Sequence, residues 1–146
     1  MQILFCRSSS LGSRIVRAFT WSRWSHCALV HEAMVVEAIW PKVRTSPVAA
    51  LMLAYPDWAL VDLPCRFPDL AWAAALSQMG KPYDWRALVG VLFHRDWAAS
   101  GAWFCSELVA WAFAQGGSPI FRPEALNRVT PQDLWMVAPS LTPTPS

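Results

Sequence analysis

The feature that most constrains this chain is a change of hydrophobic period near residue 26. Residues 26–30 (His26-Cys27-Ala28-Leu29-Val30) and 35–39 (Val35-Val36-Glu37-Ala38-Ile39) have strand character, and only His31-Glu32-Ala33-Met34 lies between them. That connection is too short for a crossover and suits a tight antiparallel hairpin. A two-residue loop sets either Val30 against Ala33 or His31 against Met34. Because side chains alternate between the faces of a strand, both registers send His26 and Glu37 to one face, as opposite or diagonal neighbours. Cys27 points to the other face, so it is a poor partner for that imidazole and is discounted as a nucleophile.

The remaining elements place the hairpin in an α+β domain, a small antiparallel sheet packed against helices. Residues 3–6 read as an apolar strand, and residues 13–19 carry Ile15, Val16 and Phe19 at helical spacing with Arg14 and Arg17 on the other side. Residues 43–45 suggest an edge strand, Ser46-Pro47 the start of a short helix to residue 54, and residues 58–63 a strand between prolines. Asp69 is placed to cap a helix over 70–79 that stops at Gly80, and the turn Lys81-Pro82-Tyr83-Asp84 leads to an apolar helical stretch over 85–93. Residues 104–115 carry Leu108, Val109, Trp111, Ala112 and Phe113 in a stripe ended by Gly116-Gly117, with Cys105 in the first turn. Thr130 as N-cap and Pro131 at the first helical position begin a last helix into residues 134–138. A chain of 146 residues suits a single domain, 1–138, followed by a Pro-rich tail, 139–146, expected to be disordered.

Composition narrows the function classes. Apolar residues make up 55% of the chain, but no uncharged apolar run reaches the ~18 residues needed to cross a bilayer. Twelve basic and ten acidic residues give a formal charge of +2 without a run of like charges, so no nucleic-acid partner and no stable membrane anchor is expected. The start, Met1 to Arg7, lacks the basic leader and apolar core of a signal peptide, which implies a cytoplasmic location, with phage association or release at lysis as the alternative. Cys6, Cys27, Cys65 and Cys105 show no Cys-x-x-Cys pair and no accompanying His cluster, so no metal, no cofactor and reduced thiols are expected. Among the ten tryptophans, Trp21/Trp24 and Trp97/Trp103 are groove candidates, although most are expected to be packing residues.

Cys105 is the candidate nucleophile. A thiol at a helix N-terminus feels the positive end of the backbone dipole, which favours the thiolate, and the unbonded N–H groups of the first turn are donors for a developing oxyanion. His26 is the candidate base and Glu37 the group that orients it. Taken singly, each has an ordinary alternative: a buried small hydrophobe, a structural histidine and a solvent-facing strand residue. His94, beside Arg95 and Asp96, and His31, in the hairpin turn, are weaker bases, and Glu107 is assigned to the helix terminus.

Trp24-Ser25-His26-Cys27-Ala28-Leu29-Val30, then Val36-Glu37-Ala38, Gly80-Lys81-Pro82-Tyr83-Asp84-Trp85 and Phe104-Cys105-Ser106-Glu107-Leu108-Val109 together resemble the circularly permuted branch of the NlpC-type papain-like hydrolases. That branch includes YiiX/YaeF-like proteins and relatives of lecithin:retinol acyltransferase, and in it the histidine strand precedes the cysteine helix. The resemblance spans roughly residues 3–134. It implies a permuted papain-like fold and a thiol hydrolase, an amidase or peptidase working through a thioester acyl-enzyme on Cys105, with His26 as base and Glu37 as third member. Tyr83 is a further candidate for lining the pocket or supporting the oxyanion, with a packed turn aromatic as its equal alternative. Bacterial cell-wall (murein) peptide is the substrate the resemblance suggests. A lipid acyltransferase or lipid hydrolase of the same fold is the second reading, weakened by the lack of an evident amphipathic basic helix, and a non-catalytic binding or assembly module is the third.

Overall fold

A computed structural model describes residues 1–84 and 101–139. The expected helix over 85–93, His94, Trp97 and most of the tail lie outside them. Five strands, β1 (Gln2–Arg7), β2 (His26–His31), β3 (Met34–Ile39), β4 (Lys42–Pro47) and β5 (Asp57–Asp62), form one sheet in the order β4-β3-β2-β1-β5. Every neighbouring pair is antiparallel. The helices are α1 (Leu11–Thr20), α2 (Val48–Ala54), α3 (Pro68–Ser77), α4 (Cys105–Gln115) and α5 (Pro131–Val137), with a 3-10 turn over Pro123–Arg128. The architecture is α+β, as expected.

The hairpin adopts the second of the two registers, with His31 opposite Met34, a loop of Glu32 and Ala33, and Glu32 in the left-handed region at φ 52°. The β2–β3 ladder runs only from His31 and Met34 to Leu29 and Val36. Glu37 is therefore diagonal to His26, one pleat beyond the last paired residues, while its backbone pairs with Arg44 of β4.

Alternation divides the sheet between two cores. On one face Ile3, Phe5, Cys27, Leu29, Val36 and Ala38 pack with Leu108, Val109, Ala112 and Phe113 of α4 and Leu134 of α5. On the other face Leu4, Cys6, Ala28, Val30 and Val35 lie under Leu51 of α2. Helix α4 ends where its backbone meets the start of α3. A Cβ on Gly116 would stand 2.8 Å from both Ala71 Cβ and Cys65 Sγ and 3.0 Å from the Phe67 carbonyl oxygen, so only glycine fits without displacing α3.

Two local expectations change. Asp69 does not cap α3: Phe67 occupies the cap and Pro68 the first helical position, where a residue with fixed φ and no N–H needs no side-chain acceptor. Helix α1 does not bury all of the apolar residues its spacing groups together. Around its start, Ser10 Oγ accepts from Ser13 N–H at 3.2 Å, Ser13 Oγ donates to Ser25 Oγ at 2.7 Å, and Ser8 N–H donates to Ser13 Oγ at 3.1 Å. Ser13 is buried while Leu11, at 72% exposure, and Ile15 face solvent. No helix among the described residues is long and apolar enough to cross a membrane.

Candidate active site

The catalytic candidates come from three elements. Cys105 is the first residue of α4 and is 1% exposed. His26 opens β2, where the body of α4 packs on the opposite face but its N-terminus reaches the end of the strand. There the thiol and the imidazole are close enough to shift each other's titration. The imidazole Nε2 lies 2.7 Å from Glu37 Oε2, which leaves Nδ1 as the ring nitrogen for the thiol. Glu37 is 1% exposed, and its second oxygen accepts from Arg44 Nε at 3.0 Å and from Ser46 Oγ at 3.3 Å. A buried carboxylate with three donors is satisfied and fixed, as a group that orients a base must be.

Electrostatics favour a charge-separated pair. Burial alone would push the Cys105 thiol up, but hydrogen bonds from Cys27 and His26 and the attraction of the imidazolium hold it well below the usual value of 9.0. Burial likewise pulls against the imidazolium, yet its contacts with Cys105 and Glu37 raise His26 to about 9. The Glu37 carboxyl, pushed up by burial, is brought below its ordinary 4.5 by His26 and Arg44. Both shifts favour a thiolate beside an imidazolium. Cys27 points away from the imidazole, as its strand position requires, and toward the thiol instead. Its own thiol is pushed well up, by burial first and then by Cys105, so it remains a poor nucleophile.

A cleft of about 350 Å3 opens beside His26. Ser8, Ser10, Ser13 and Val16 line one wall, Ile39 and Trp40 another, and Tyr55 and Tyr83 complete it. Tyr83 therefore does line the pocket, and its ring also packs against Phe104 at 5.9 Å between centroids. Tyr55 escaped the sequence reading. It stacks on His26, with centroids 6.1 Å apart and planes 18° from parallel, and burial and the nearby Glu37 raise its phenol to about 12. Arg44 and Ser46 were also missed; the alternation of β4 opposite Glu37 was the available signal.

The competing residues lie elsewhere. His31, at the far end of β2, packs on Trp72 and lies 3.7 Å from Asp69 Oδ1. Glu107 accepts the Phe104 N–H at 3.3 Å and completes the start of α4. Trp24 is core, packed on Phe5 and Trp135, and Trp103 packs on Trp111, whereas Trp21 and Trp40 stand in solvent. All four cysteines are free.

No protein-family model matches the sequence, and no curated protein matches it. Among solved structures, the crystal structure of the metalloprotein YiiX from Escherichia coli O157:H7, a DUF1105 protein, superposes with a TM-score of 0.65 at 22% identity, over 83% of this chain and 68% of that one. Among the described residues of this chain, no three His, Cys, Asp or Glu side chains are grouped to hold a metal ion. In its five-stranded antiparallel sheet and flanking helices, the chain has the fold of YiiX.

Proposed function

We propose that the protein is a thiol hydrolase with a permuted papain-like arrangement, in which the histidine strand precedes the cysteine helix. The observation that carries this reading is the buried His26 Nε2–Glu37 pair at 2.7 Å, with the Cys105 thiol at the start of α4 near enough to shift the imidazole's titration. The Cys105 thiolate attacks an acyl carbonyl, and the first-turn N–H groups of α4 receive the negative charge on its oxygen. The imidazolium protonates the leaving group as the tetrahedral adduct collapses to a thioester. The neutral imidazole then removes a proton from water, which attacks the thioester and releases Cys105. Glu37 keeps Nε2 engaged and the ring in the cleft throughout. An amide, bacterial cell-wall peptide among the candidates, is the first substrate class, and an acyl lipid is the second.

The test is alkylation of Cys105 by iodoacetamide below neutral pH, followed by intact mass in a Cys65→Ser background. Fast modification that falls at least ~10-fold in His26→Ala supports the reading, because only an activated thiolate reacts there. A rate like that of a free thiol, unchanged in His26→Ala, overturns it. Turnover of murein peptides or acyl lipids that disappears in Cys105→Ser then assigns the substrate class.

A further inference from the structure

The bond to Glu37 holds the His26 imidazole at one end only. A histidine ring turns about its Cβ–Cγ bond in a broad, soft well, and Nε2 lies nearer to that axis than Nδ1 does. The bond to Nε2 at 2.7 Å therefore fixes where the far end of the ring sits but resists its turning weakly. Nδ1, the nitrogen left for the thiol, swings with the turn, so a second contact has to set the plane of the ring.

Tyr55 is placed to do so. Its ring lies nearly parallel to the imidazole, with 18° between the planes and 6.1 Å between centroids, inside the roughly 4.5–7 Å range of offset aromatic pairs. Turning the imidazole gives up this parallel contact, and an aromatic neighbour also favours the protonated form of the ring beside it. Tyr55 is itself anchored: it ends α2 in extended backbone at φ −117° and ψ 122°, its N–H donates to the Leu51 carbonyl at 3.0 Å, and its side chain packs against the core of Leu4, Cys6 and Ala28. Leu51, 4% exposed, ties α2 to that core. The titratable groups around the imidazole come from other elements: Glu37 from β3, Cys105 from α4, and Cys6 of β1, which stands opposite His26 in the ladder, while Tyr83 shares the cleft. Among the described residues, Tyr55 supplies the aromatic ring that packs on it.

We infer that Tyr55 is a positioning residue for the candidate base: its ring sets the plane of the His26 imidazole and so keeps Nδ1 turned toward Cys105 while Glu37 holds Nε2. The consequence for turnover rests on the thiol-hydrolase reading. The contact does not, because it is measured on His26 itself in Cys105→Ser, which keeps a failure of the inference distinguishable from a failure of that reading.

The experiment compares Tyr55→Phe, which keeps the ring, with Tyr55→Leu, which keeps apolar cover over the core beneath α2 and removes the ring. In a Cys105→Ser background, the His26 imidazole is titrated by NMR, its resonance assigned by its absence from His26→Ala. The midpoint should fall by about half a pH unit in Tyr55→Leu and stay in place in Tyr55→Phe. With Cys105 intact, alkylation by iodoacetamide below neutral pH should slow at least ~3-fold in Tyr55→Leu, the same half unit read at the thiolate, and stay within ~2-fold of the parent in Tyr55→Phe. Tyr55→Met gives the same comparison should the leucine chain melt below the parent. Three results overturn the inference: a His26 midpoint unchanged in Tyr55→Leu, an equal fall in Tyr55→Phe, which would assign the effect to the hydroxyl, or faster alkylation in Tyr55→Leu, which would make the ring only a cover over the thiol. A parent thiol that alkylates like a free cysteine while the His26 shift persists overturns the hydrolase reading and supports the Tyr55 contact.

Discussion

Replacing Glu37 with Gln keeps the shape of the buried side chain and removes its charge, which isolates what the carboxylate does for His26. The hydrogen bond at 2.7 Å joins two buried groups, both charged when His26 is protonated. A bond of this kind to a charged partner contributes ~1.5–3 kcal/mol, and about 1.4 kcal/mol corresponds to one pH unit. His26, raised to about 9 in the parent, should therefore titrate between roughly 7 and 8 in Glu37→Gln, still above an isolated histidine because Cys105 remains beside it. The assay is the pH dependence of Cys105 alkylation. In the parent, reactivity rises once as the thiolate–imidazolium pair forms below the usual thiol range. It rises again near 9, where loss of the imidazolium proton frees the thiolate. In the variant the second rise should move down to the range above, and the first should move up because the thiolate has lost part of its counter-charge. A second rise that stays near 9 would refute the assignment of Glu37 as the group that stabilises the imidazolium.

Stability carries its own pH signature. Glu37 has a folded value below its ordinary 4.5, so its contribution is present above about 4.5 and is lost as pH falls through the lower folded value; urea midpoints should show this acid loss in the parent and a flatter limb in Glu37→Gln. Gly116→Ala forces a Cβ to 2.8 Å from Ala71 and Cys65, and should cost ~1–3 kcal/mol in urea unfolding as overpacking between α3 and α4. Thr130→Ala removes the hydroxyl that accepts the Asp133 N–H at 3.3 Å and should lower stability by about 1 kcal/mol, with Cys105 alkylation unchanged because α5 supports the core rather than the thiol.

Much of the site was legible because strand geometry is strict. A period of two and a two-residue loop were enough to bring His26 and Glu37 to one face, and a stripe ending in Gly116-Gly117 was enough to put Cys105 at a helix start. What escaped depended on tertiary placement. Tyr55 follows a short helix and reaches His26 only because α2 returns over the sheet, which no local pattern records. Arg44 and Ser46 read as ordinary edge-strand residues until the β3–β4 register is known. The wheel of α1 does not show that Ser13 is buried while Leu11 and Ile15 are exposed, because that depends on Ser25 receiving the Ser13 hydroxyl.

The Glu32–Ala33 turn touches neither the thiol nor the imidazole, yet it works as the ruler of the site. Adding or deleting one residue there, with the hairpin keeping a two-residue loop, would shift the phase of everything from Met34 onward relative to β2, and Glu37 would be replaced behind the imidazole by a neighbour from the opposite face. The change would leave Cys105, His26 and Glu37 in the sequence and remove their arrangement from the molecule. Two residues added together would restore the phase. Loop length, counted odd or even, is therefore as much a part of this candidate site as the identity of the residues in it.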